Sequence, residues 1–358
     1  MREENFLMNK PKVLDMFCGC GGLSLGFINA GYDVLLGIDK EEIALQTFLK
    51  NHSNSKAKNI DLFDDNFIDK IKEEINDEQI DVIIGGPPCQ GFSLTGPRNE
   101  NDERNKLYLS VYKAVKAFEP QAFLIENVTG IATMYKGKVK DHIMHLFTEL
   151  GYNVSFEILL AADYGVPQMR KRAFFVGVKD NEFKFPQKVL QPENYIGCEQ
   201  AIGDLPTLEN SLGHSVMDYR TSPQCEYQKL MRKDSTSVLN HIGTKHTDLV
   251  ISVISQVPEG GNHKDLPPGV GDSRKFNEAW TRYHSKKPSK TIDTGHRNHF
   301  HYKYNRVPTV RENARLQSFP DSFEFLGNKT QQNRQVGNAV PPLLAQAIAT
   351  EMKKYLKL

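Results

Sequence analysis

Apolar residues recur along the first half of the chain in two alternating rhythms. Short runs rich in β-branched and aliphatic residues, at 13–17, 34–38, 81–84 and 122–125, predict strands buried on both faces. Between and after them apolar positions fall at helical spacing: from Leu23 onward, at Ile43, Leu45, Phe48 and Leu49, across 107–118, and across 139–150, where Gly151 stops the helix. Residues 173–178 add one more strand. Such alternation predicts an α/β fold, a parallel sheet with helices on both faces. From about residue 185 to 290 the rhythm fails, Pro and Gly become frequent, and a second, irregular module is expected. Residues 341–355 close the chain with a helix opened by Pro341-Pro342 and carrying Leu343, Leu344, Ala347, Ile348 and Met352.

Composition narrows the class. At 358 residues, 39% hydrophobic and 25% charged, the chain suits about two domains. No apolar stretch approaches the roughly 20 residues of a membrane span, and Met1-Arg2-Glu3-Glu4-Asn5 lacks the apolar region of a signal peptide; a cytoplasmic protein without a membrane partner is expected. Five cysteines without framework spacing predict reduced thiols, and Cys18-Gly19-Cys20, with no second pair nearby, predicts no metal site. Net charge is only +1, yet residues 211–311 hold 16 Lys and Arg against 9 Asp and Glu, and 8 of the 11 histidines. Such a segment can track a phosphate backbone, although a solvated face is the plainer reading of charge alone.

Candidate chemistry gathers where strands end. Gly85-Gly86-Pro87-Pro88-Cys89-Gln90-Gly91-Phe92-Ser93 places Cys89 at the exit of a buried strand, the best candidate nucleophile in the chain. A small buried hydrophobe is the ordinary alternative for such a residue. Asp15-Met16-Phe17-Cys18-Gly19-Cys20-Gly21-Gly22-Leu23 is a Gly-rich turn after the first strand, able to bring backbone N–H groups close to a ligand. The dinucleotide fingerprint needs glycine where Ser24 stands, which counts against a nicotinamide enzyme. Asp39 is placed to accept bonds from a ribose diol, and Asp61 to reach a nucleobase, with a helix cap or solvated loop as the alternative for each. Glu126 ends an apolar strand on the same sheet edge as Cys89, where partial desolvation would raise its pKa and suit it to proton donation. In Gln168-Met169-Arg170-Lys171-Arg172 the two arginines are expected to project from one face as a fork of donors.

In this order the pieces resemble the DNA cytosine-5 methyltransferase family. The resemblance is carried by residues 15–27, Pro87-Pro88-Cys89-Gln90-Gly91-Phe92-Ser93, Glu126-Asn127-Val128, residues 168–172, residues 311–321 and Gln335-Val336-Gly337-Asn338-Ala339-Val340-Pro341-Pro342. It covers nearly all the chain apart from the middle module, and the size is similar to bacterial enzymes that accompany restriction endonucleases. It implies a Rossmann-like, S-adenosylmethionine-dependent sheet domain at 1–182 plus 328–358, and a small target-recognition domain at 183–327 whose variable part is about 186–290. It further implies that Cys89 adds to C6 of a flipped cytosine, that Glu126 binds N3 and the exocyclic amine, and that Arg172 holds O2 with Arg170 beside it. Contacts to S-adenosyl-L-methionine are implied at Phe17, Gly19, Gly21, Gly22, Leu23, Asp39, Asp61, Leu62, Pro88, Leu107, Asn338 and Val340. Double-stranded DNA is the implied partner, through Gln90, Ser93, Arg104 and Arg297, with His296, His299 and His301 as further candidates. The loop 96–106 holds no large apolar residue and is expected to close over the base. Residues 311–321 are expected to support the module rather than perform chemistry. A monomer is the expected form, with a cognate endonuclease as a cellular partner that forms no required complex; RNA methylation and a catalytically silent nucleic-acid binder are the alternatives.

Overall fold

The computed structural model describes residues 10–88, 107–209, 211–270, 279–295 and 297–357. Chain contacts divide it into two units: residues 1–159, 171–187 and 345–358 form one, residues 160–170 and 188–344 the other.

The first unit is built on a seven-stranded sheet. Its strands are β1 (Lys12–Met16), β2 (Asp33–Ile38), β3 (Lys56–Lys58), β4 (Val82–Gly85), β5 (Ala122–Asn127), β6 (Asn153–Leu160) and β7 (Lys171–Val178), in the order β3-β2-β1-β4-β5-β7-β6. Strands β1 to β5 pair in parallel. β7 pairs antiparallel to β5, with Ala122 opposite Val178 and Asn127 opposite Ala173, which corrects the expectation of a purely parallel sheet. Residues 161–170 join β6 to β7 without an α-helix, too short a link for the crossover that parallel neighbours require.

Helices α1 (Gly22–Asn29), α2 (Glu42–Asn51), α3 (Phe67–Ile75), α4 (Tyr108–Phe118) and α5 (Lys138–Glu149) connect the strands. Their apolar faces explain their places. Phe67, Ile71 and Ile75 recur every four residues along α3, as do Ile143 and Phe147 on α5, and all five are buried with Leu14, Ile83 and Phe123 of the sheet. Full burial of each such side chain contributes about 1.5–3 kcal/mol. The last helix, α11 (Pro342–Met352), passes into this unit after Leu344. A Cβ on Gly26 of α1 would lie 2.3 Å from Ala345 Cβ, so α1 needs glycine there for α11 to lie against it.

This order has one switch point. β1 connects forward to β2 on one side, while β4 lies on its other side, so the carboxyl ends of β1 and β4 open the crevice where ligands bind in such sheets.

The second unit has short elements: helices α6 (Cys198–Ile202), α7 (Glu226–Arg232), α8 (Asp248–Gln256), α9 (Val310–Leu316) and α10 (Lys329–Asn338), and the two-residue strands β8 (Val216–Met217), β9 (Val238–Leu239), β10 (Thr281–Arg282) and β11 (His299–Phe300). Buried arginines hold it together. Arg315, fully buried, pairs with Asp204 at 2.7 Å and Asp321 at 2.7 Å, while Arg311 donates to the carbonyls of Leu239, Pro320 and Phe323. Helix α9 begins with a capping box, Thr309 accepting from Glu312 N and Glu312 from Thr309 N.

Candidate active site

The glycine-rich turn follows β1 at the switch point. Phe17, Gly19 and Gly21 all take left-handed backbone angles, reversing the chain within a few residues before α1 starts. Asp39, just beyond β2, ties this turn in place: its Oδ2 accepts from Gly19 N at 2.9 Å and its Oδ1 from Glu41 N at 2.9 Å. A carboxylate has about four acceptor positions, so Asp39 keeps capacity for a ligand hydroxyl. Ser24, the residue that breaks the dinucleotide pattern, donates to Asp15 Oδ2 at 2.6 Å and pins the first turn of α1 to β1. Burial pushes Asp15 up to about 7. The thiols of Cys18 and Cys20 are also buried, which raises Cys18 and pushes Cys20 up to about 12, so both behave as inert packing groups.

Other residues implied for the donor lie on the same unit. Asp61 is exposed after β3, its Oδ1 accepting from Phe63 N at 2.9 Å, and Leu62 is buried beside it. Pro88 is half-buried at the exit of β4, and Leu107 is buried directly before α4. Asn338 and Val340 belong to the second unit, where Asn338 is exposed as the last residue of α10 and Val340 is buried.

The carboxyl end of β5 carries the acid. Arg172 Nε lies 2.8 Å from Glu126 Oε1, and the two side chains are only 17% and 12% exposed. Burial pulls the Arg172 pKa below its ordinary value against the attraction of Glu126. A Cβ on Gly86 would stand 3.0 Å from Glu126 Oε2, so the acid reaches across to the exit of β4. Asn127 Nδ2 donates to Pro87 O at 3.3 Å, tying the end of β5 to the segment that leads into Cys89. Cys89, Gln90, Ser93, Arg104 and the loop 96–106 lie outside the described residues.

Arg170 does not offer the free donor fork expected of it. It is fully buried, and its guanidinium donates to Ile292 O at 3.2 Å and Gly337 O at 2.8 Å. Gln168, absent from the expected site, works beside it, donating to Leu316 O at 3.1 Å and accepting from Ile292 N at 3.0 Å. Together they pin the segment before β7 to three distant stretches of the second unit. Their only signal in the sequence was membership of the quoted Gln168 to Arg172 stretch. Arg297 is exposed, and His296 lies outside the described residues. His299 and His301 are buried, which corrects their expected role as DNA contacts. His301 Nδ1 accepts from Lys303 N at 3.0 Å and Tyr304 N at 3.2 Å, and its ring stacks on Tyr302. Among the described residues no group of His, Cys, Asp and Glu could hold a metal ion, and no helix is long and apolar enough to cross a membrane.

Comparison with known proteins agrees along nearly the whole chain. The model of the family described as C-5 cytosine-specific DNA methylase matches residues 11–354. A type II methyltransferase, M.DdeI of Desulfomicrobium norvegicum, is 39% identical, the match covering 96% of this chain and 89% of that one. M1.HphI of Haemophilus parahaemolyticus, also a type II methyltransferase, is 40% identical over 95% of this chain and 86% of its own. Among solved structures, a protein described as a DNA modification methyltransferase encoded within an E. coli prophage superposes with a TM-score of 0.79 at 28% identity, covering 97% of this chain and 99% of that one. The Dnmt2 methyltransferase of S. pombe, at a TM-score of 0.64 and 16% identity over 96% of this chain and 99% of its own, shares the fold.

Proposed function

The chain belongs to the C-5 cytosine-specific DNA methylase family, and from that premise we propose how its own residues methylate cytosine at C5 in duplex DNA and with which methyl donor. The donor is S-adenosylmethionine, held by the turn of Phe17 to Leu23, by Asp39 and Asp61, and by Leu62, Pro88, Leu107, Asn338 and Val340. The residues present suit it: the turn at the switch point is backbone-rich, and Asp39, already fixed by Gly19 N, can accept from a ribose. When bound, the donor supplies a methyl group on a sulfonium, an electrophile for a nucleophilic carbon.

The chain's part is to make that carbon nucleophilic. A cytosine within a duplex hides C6, so it must first leave the stack at a cost of a few kcal/mol. The Cys89 thiolate then forms an S–C6 bond, and the electrons of the C5–C6 double bond move toward C5 and N3. Glu126 bonds N3 and the exocyclic amine as charge gathers on the ring, and Arg172 holds Glu126 in register through Nε and reaches O2. After C5 is methylated, a base takes the C5 proton, the double bond re-forms and Cys89 leaves.

The observation that carries this reading is the Glu126–Arg172 pair at the end of β5, joined by Asn127 to the root of the Cys89 segment. Residues 186–290 supply target recognition, Gln90, Ser93, Arg104 and Arg297 contact DNA, and modification guards the DNA against a partner endonuclease. The test is Cys89→Ala. It is expected to abolish methyl transfer while duplex binding persists; retained turnover would overturn the nucleophile assignment.

A further inference from the structure

Beneath the glycine-rich turn lies a side chain that no motif marks. His52 caps α2, is only 3% exposed, and places Nε2 at 3.2 Å from Gly21 O. Its ring meets Phe48 edge-on, with centroids 4.5 Å apart, so the ring's position is fixed by packing as well as by the bond. The fit leaves no slack, because a Cβ on Gly21 would stand 2.2 Å from His52 Nε2.

Gly21 needs an outside restraint. It is the N-cap of α1 at φ 94, without a side-chain cap, and glycine constrains its own backbone least of all residues. Its carbonyl accepts from Leu25 N at 2.8 Å, which starts the helix. The contact from His52 is a second one, from a different element. A carbonyl can only accept, so Nε2 carries the proton and the neutral ring donates.

We infer that His52 is a positioning residue for the methyl-donor site, holding residues 19–22 in the binding conformation through its Nε2–H bond to Gly21 O. This rests on the reading of that turn as the donor site, and deepens it. His52 acts through the main chain of Gly21, so it sets donor affinity and leaves the chemistry of Cys89 and Glu126 alone. Burial lowers the ring's pKa to about 4, so at neutral pH the donating ring is uncharged.

Two variants separate the bond from the packing. His52→Phe keeps an aromatic ring against Phe48 and removes the N–H; His52→Gln keeps an N–H donor at similar reach. Each is measured for S-adenosylhomocysteine binding by calorimetry, for KM of S-adenosylmethionine and kcat on unmethylated phage DNA, and for thermal melting. His52→Phe is expected to raise Kd and KM about five- to tenfold, the scale of one hydrogen bond, with kcat at saturating donor preserved. His52→Gln is expected to restore most of that loss. Wild-type donor affinity in His52→Phe, an equal loss in both variants, or a fall in kcat alone overturns the inference. Asp39→Asn is the control for the underlying reading. If Asp39→Asn weakens donor binding and His52→Phe does not, only the positioning role fails; if Asp39→Asn also leaves binding untouched, the donor site itself is misplaced.

Discussion

Replacing Glu126 by Gln keeps the shape of the side chain and removes the charge that Arg172 Nε faces at 2.8 Å. That substitution is expected to lower kcat by about 10² to 10⁴, the ordinary contribution of a positioned acid, while donor and DNA affinity stay within a few fold. Single-turnover kinetics checks it, and an unchanged rate would remove Glu126 from the mechanism. Glu126 was legible in the sequence because a carboxylate ending an apolar run can only emerge at a sheet edge. Arg170 was not legible in the same way. Its neighbour two residues on faces Glu126, but its own donors go to Ile292 and Gly337, more than 120 positions away. No local pattern reports where a guanidinium finds its acceptors.

The same division holds for elements. Strands β1, β2, β4 and β5 and helices α4 and α5 stand within a residue or two of where apolar periodicity puts them, because burial against one sheet imposes that period. β6 escaped notice although Val154, Phe156 and Ile158 alternate with polar residues: it is an edge strand with Leu159 its one fully buried position, so it shows a period-two pattern in place of the continuous apolar run that marks β1, β2, β4 and β5. In the second unit periodicity fails for a physical reason: side chains bonded to main-chain carbonyls replace apolar faces as the organising contacts. Arg282 alone donates to the carbonyls of Val257, Ile254 and His301. Arg315 makes the strongest case, since Arg315→Ala would remove the guanidinium shared by two buried carboxylates, leaving Asp204 with Arg232 at 3.3 Å and Asp321 with the Tyr219 hydroxyl and Arg311 at 3.9 Å. A loss of about 3–5 kcal/mol is expected, read as a lower urea midpoint. A loss under about 1 kcal/mol would show that the pair is incidental.

For the molecule as a whole, buried histidines set an acid limit. Burial lowers His52 to about 4 and His301 to about 3, and lowers His241 too. His301 Nδ1 accepts two main-chain N–H groups and has no room for a proton. An unfolded histidine binds a proton near 6.5, while these folded ones do not. Their contribution is therefore complete above pH 6.5 and declines as pH falls toward 4 and 3. At pH 5.5 each fully shifted histidine costs about 1.4 kcal/mol relative to neutral pH; Asp15, pushed up to about 7, takes up a proton in the same window and offsets part of this, so with three such histidines the melting temperature should still drop between pH 7.5 and 5.5. A profile that stays flat in Asp15→Asn as well would mean the rings are protonated in the fold. The family and the α/β architecture were likewise legible as a whole, because six separate stretches fall in one order along the chain, while the internal order of residues 185–290 was not. The most direct test of the account is to express the chain in a host without cytosine methylation and sequence its DNA after bisulfite conversion, with Cys89→Ala in parallel. The account predicts cytosines protected within one short motif by the wild type and none by the variant. Complete conversion with soluble wild-type protein present, or protection that survives Cys89→Ala, would contradict it.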